Sequence, residues 1–214
     1  MMSTPLWERA LNAILTKEFQ FSITDGNDAA WGFALCVLGL IYHTSNSAIY
    51  ELLNERLTSQ RKDDELAHDR AIYRNADALL QEQQFLSFMR TLLGDHSYHM
   101  QNMERIDKFV RYLAPTSNQF LSPTLRAAAA AFVEAAYQHG EFVALQFFVF
   151  PKGQTESNVR LCMKPGWNCD REGSGSPEQI RMYDQLTKEL ETLSNTVISR
   201  YHDLRSAVKQ ELVI

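Results

Sequence analysis

Glu65-Leu66-Ala67-His68 sets a carboxylate and an imidazole one turn apart on a predicted helix. In helical metal sites that spacing works in pairs: two Glu-x-x-His segments and two further glutamates hold two metal ions. Here the second Glu-x-x-His is missing. His96 and His99 share the three-residue spacing. On a helix they would lie on one face, with Asp95 or Glu104 as further ligands for zinc or iron. Neither group completes a ligand set, so no metal and no cofactor is expected. The sequence has no Gly-rich phosphate loop and no Gly-x-Ser-x-Gly nucleophile turn.

A second pair is Arg61 and His68, seven residues and two helical turns apart, hence on one face. Arg-x(4–6)-His pairs on helices mark the HEPN-type ribonucleases, and this pair resembles them at the long end of that spacing. Lys62 stands where the motif usually has a polar residue after Arg. The resemblance rests on these two residues and an all-helical outline. It implies an RNA-cleaving dimer with Arg61 and His68 as the catalytic pair.

The elements that must position these residues are helical by periodicity. The segment 176–212 opens Ser176-Pro177-Glu178-Gln179, a capping box with Pro at the first helical position. Tyr183, Leu186, Leu190, Leu193, Val197, Tyr201, Leu204, Val208 and Leu212 then recur at steps of three or four, predicting one long helix with a single apolar stripe. Earlier helices are predicted from Thr4-Pro5, with Trp7, Leu11, Ile14 and Leu15 on one face. A second runs from the Asp25-Gly26-Asn27-Asp28 turn toward Leu57, and a third from Thr58 to Gly94, the last two separate or continuous. A fourth carries Met103, Ile106, Val110 and Leu113, and a fifth runs from Pro123 to about Phe150. Residues 152–175 read as a long irregular loop, extended over 159–163, with no strand pairing expected. The expectation is one all-α domain over 1–214: an elongated antiparallel bundle of about six helices with a coiled-coil-like C-terminal helix.

Composition narrows the function. The net charge of −5 argues against general nucleic-acid binding, which draws on a surplus of Lys and Arg. Three cysteines do not make a disulfide framework. Cys36 reads as a small buried hydrophobe, and Cys162 and Cys169 as loop thiols in a reducing compartment. The N-terminus lacks a signal-peptide pattern. Residues 29–42 hold fourteen positions without charge, short of the roughly 20 that span a bilayer. They read as a buried core helix, with membrane association as the alternative, and a cytoplasmic location follows. The leading expectation is a non-enzymatic module that binds another protein or itself. The final turns of the terminal helix would project, and Val197, Tyr201, Leu204, Val208 and Leu212 would form a homodimer interface. The HEPN-like ribonuclease and a membrane-associated sensor or effector through 29–42 are the alternatives.

Overall fold

The structure is a computed structural model that describes residues 28–153, 159–168, 171 and 175–213. Among these residues the chain is mostly helical, with five α-helices and three short strands, so it belongs to the all-α class. The helices are α1 (Asp28–Leu79), α2 (Glu82–Asp95), α3 (Met100–Leu113), α4 (Pro123–Gln146) and α5 (Pro177–Leu212). The helix expected over Trp7, Leu11, Ile14 and Leu15 lies outside the described residues, as does Cys169. The chain divides into two compact units, 1–61 and 62–214.

The core of the second unit is aromatic. Phe85, Phe109, Phe132 and Tyr201, from four helices, meet with ring centroids 4.2 to 6.3 Å apart. α5 packs chiefly along α4. The Ala127–Ala131 run on α4 has small side chains that let a neighbouring helix come close. The predicted caps are present. Ser176 Oγ accepts Gln179 N–H at 3.2 Å, and Gln179 Oε1 accepts Ser176 N–H at 2.8 Å. Ser122 accepts Leu125 N–H at the start of α4.

Four local expectations are corrected. First, Thr58–Gly94 is not a single helix. Of the separate and continuous readings, the continuous one holds at Thr58–Gln60: α1 runs through it, and the Thr44 and Thr58 hydroxyls bond back to carbonyls one turn earlier. The break falls instead at Leu80 and Gln81, where no Gly or Pro stands. Arg205 holds it from α5: it bonds Asp77 before the break and Glu82 after it, and lies over the Tyr73 ring. Second, residues 97–99, 147–149 and 160–163 are strands, not helix ends and loop. Ser97–His99 and Phe147–Val149 each pair antiparallel with the central Arg160–Met163, in register Ser97↔Cys162↔Phe148. The sheet buries Ser97, Tyr98, Phe147, Cys162 and Met163. Third, Cys162 is therefore a buried strand residue, whereas Cys36 is exposed. Fourth, residues 29–42 do not form a core helix: the described large apolar residues there are exposed.

Candidate functional site

The pair Glu65 and His68 lies on α1, and His68 is engaged elsewhere. Its Nδ1 sits 3.3 Å from Asp69 Oδ1. The Asp69 carboxylate is buried and accepts the N–H groups of Leu121 and Ser122 at 2.7 and 2.9 Å, tying α1 to the start of α4. Arg61 falls at the end of the first unit and His68 in the second. His96 and His99 do not share a helical face. His96 ends α2 in the left-handed region, φ 46°, and its Nδ1 is taken by Tyr183, while His99 is on the first strand. No group of three His, Cys, Asp or Glu side chains among the described residues is placed to hold a metal ion.

The expected dimer residues are corrected on their accessibility. Val197, Tyr201, Leu204, Val208 and Leu212 are at most 2% exposed, because the second unit's own helices cover the α5 stripe. The last turn of α5 does not project: Arg70 of α1 donates from Nε and Nη2 to the Leu212 carbonyl at 3.2 and 3.0 Å. These five side chains have no surface to offer a second copy.

Exposed apolar surface is concentrated on α1 instead. Between positions 35 and 57 eleven large apolar side chains are each at least 39% exposed, Leu38 and Leu40 at 61% and 69% among them. At 100° per residue, Leu35, Val37, Leu38, Leu40 and Ile41 point round the whole axis. From Ile49 the helix turns amphipathic: Ile49, Tyr50, Leu52, Leu53 and Leu57 share one face, with Glu51, Asn54 and Glu55 on the other. Among the described residues no helix is long and apolar enough to cross a membrane.

A polar crevice in the second unit was not foreseen. It encloses about 370 Å³ between the end of α2, the Pro165–Trp167 turn and the first turns of α5. The Tyr183 hydroxyl accepts a hydrogen bond from Asn168 Nδ2 at 3.0 Å and lies 2.8 Å from His96 Nδ1. Burial lowers the His96 pKa below its usual value, which keeps the ring neutral and able to accept the tyrosine proton. Arg171 donates Nη2 to the Asp95 carbonyl at 3.1 Å, while its buried Nε has no partner. Lys164 lies over the Phe148 and Trp167 rings. Cys162 beneath is no activated nucleophile, since burial pushes its thiol up. The His96–Tyr183 pair was hidden from sequence reasoning by 87 intervening residues.

No family model matches the chain, and comparison with curated proteins and with solved structures finds no match for it.

Proposed function

We propose that this chain is a non-enzymatic helical module that self-associates through the first half of α1. In this reading the helices of 62–214 form an antiparallel bundle with α5 as its coiled-coil-like spine, and the exposed face of α1 meets a second copy. One observation carries the reading: the row of exposed apolar side chains from Leu35 to Leu57.

The spacing of that row favours a second copy over an unrelated partner. Leu35, Leu38, Tyr42, Ser45, Ile49 and Leu52 follow a three–four repeat along one side of the helix. They are also symmetric about the point between His43 and Thr44. In an antiparallel pair with a two-fold axis there, Leu35 meets Leu52, Leu38 meets Ile49 and Tyr42 meets Ser45. A two-fold interface demands this: residue i contacts j, and j contacts i. The polar stretch His43–Ser47 then falls at the axis, with an apolar layer on either side. A single polar layer inside an apolar seam is a device that fixes register and partner number.

Light scattering on the full chain at micromolar concentration tests the proposal. The expected result is a dimer that Leu38→Asp with Ile49→Asp converts to a monomer, with the helical signal retained. A monomeric parent chain, or a dimer indifferent to both substitutions, overturns it. So does a parent chain that stays monomeric in buffer and sediments only with anionic phospholipid vesicles, which would assign the face to a membrane surface.

A further inference from the structure

One cavity of the second unit has a one-sided charge. It measures about 700 Å³ and lies between the first turns of α2 and the start of α3. Its walls carry Arg90, Arg105, Gln81, Gln83, Gln84 and Asn102, above Leu86 and the nearly buried Phe88. No carboxylate lines it. The acidic groups nearby in sequence face elsewhere or are neutralised: Glu82 bonds Arg205, Asp107 pairs with Arg111, and Glu104 is not in the wall. Neither Arg90 nor Arg105 has a hydrogen-bonding or ionic partner among the described residues. On a chain of net charge −5 this is a local reversal of sign.

We propose that this cavity binds a nucleoside phosphate. Two planar guanidinium groups match a phosphate dianion, each able to donate two parallel N–H bonds. Two arginines alone would suit any small dianion. The four carboxamides narrow the class. Gln and Asn present a donor and an acceptor together, the pair that reads the edge of a nucleobase. A simple phosphate or carboxylate would use only their N–H donors and leave their carbonyl acceptors unmatched. The half-buried Leu86 supplies the apolar contact that a base needs. The volume falls within the roughly 300 to 1,000 Å³ of small-molecule and cofactor sites. The N-terminal end of α2, with Gln81, Gln83 and Gln84, lies at the same rim. The Thr91 hydroxyl is already donated to the Ser87 carbonyl, which leaves the arginines, the amides and the Ser87 hydroxyl as the recognition groups.

The site is independent of the α1 face, so each stands or falls alone. Isothermal titration of the full chain with ATP, AMP, adenosine and inorganic phosphate tests it. ATP and AMP are expected to saturate one site, more tightly than adenosine or phosphate alone, with an affinity that falls as salt rises. Arg90→Glu with Arg105→Glu should weaken ATP by at least about tenfold, since it removes two charge-assisted contacts. Arg181→Glu, an exposed arginine of α5 outside the cavity, should leave ATP binding unchanged and so controls for a general loss of positive charge. Both changes are on exposed side chains, and a circular-dichroism spectrum checks that the fold is kept. A 5′-phosphorylated single-stranded RNA as competitor identifies the source of the phosphate. Displacement of ATP assigns the site to an RNA end and its absence to a free nucleotide, and the site holds in both. Failure of every nucleotide to saturate, equal binding of phosphate and AMP, or ATP binding unmoved by the double substitution overturns the proposal.

Discussion

Leu38 and Leu190 are the same side chain at similar places in two long helices, and their surroundings are opposite. Leu190 of α5 has no exposed surface, and Leu38 of α1 keeps 61% of its own. Both helices carry apolar residues at helical spacing, so both need covering. On α5 the residues form one stripe, and α4 with the aromatic cluster covers it from within the chain. On α1 the first two turns of the row are apolar on every side, and no described neighbour covers them. A periodic stripe thus does not by itself say whether its residues are covered within the same fold. The same contrast recurs inside α1. Beyond position 62 its Ile72 and Ala76 are buried, and the apolar spacing there is no more regular than in the exposed half.

The sharpest break of this comparison is the substitution Leu190→Asp. It places an unpaired charge in a site without water and removes a packed side chain, a loss of about 5 kcal/mol. Thermal unfolding by circular dichroism should show a transition lowered by tens of degrees or absent. Leu38→Asp, at concentrations too low for pairing, should stay within about 0.5 kcal/mol of the parent, as surface changes do. Equal losses at the two positions would dissolve the contrast.

The next effect is smaller and depends on pH. His139 on α4 is 2% exposed and faces Ser194 of α5, with Nε2 3.2 Å from its hydroxyl. Burial lowers its pKa to about 4 from the usual 6.5. Above pH 6.5 the ring is neutral in both the folded and unfolded chain and stability does not depend on it. As pH falls from 6.5 toward 4, the unfolded chain takes up a proton that the folded chain refuses. Stability is lost over that window, by up to about 3 kcal/mol. Urea melts between about pH 6.5 and 5, above the main carboxylate range, read this loss together with that of His96, whose pKa burial also lowers. His139→Gln should reduce the slope. A slope unchanged by the substitution would put the pH sensitivity outside the α4–α5 contact.

The sequence made some of this legible because the signals were local. The α5 stripe, its capping box and the Pro123 helix start depend on residues within four positions of each other. What stayed hidden depends on distant partners. Nothing at Leu80 and Gln81 breaks a helix, and the break is held by Arg205, more than 120 residues later. The strands are three or four residues long, too short for an alternating pattern, and exist only because Arg160–Met163 pairs on both sides. His96 and His99 looked like a ligand pair on the assumption of a helix, which the left-handed His96 ends. The crevice and the cavity are assembled from elements that no spacing links. The exposed row on α1 was visible as an apolar run, but its surroundings were not, because burial is decided by tertiary packing.

The smallest effect tests where the stability of α5 begins. Its first turns lie before the buried stripe, and Ile180 and Met182 there are each 45% exposed. That end therefore has little packing to hold it and relies on its cap. Ser176 Oγ satisfies one N–H of the first turn, and Gln179 satisfies the N–H of Ser176 in return. Ser176→Ala removes the first bond and leaves an N–H without its partner, a cost of about 1 kcal/mol. Ser176→Gly, which frees the backbone to be hydrated, should cost only a few tenths. Amide hydrogen exchange then locates the loss: protection should fall over the first two turns of α5 and stay unchanged from Leu190 onward. If protection falls evenly along the helix, α5 unfolds as one unit with its cap. The buried stripe would then not be the separate anchor that distinguishes α5 from the exposed half of α1.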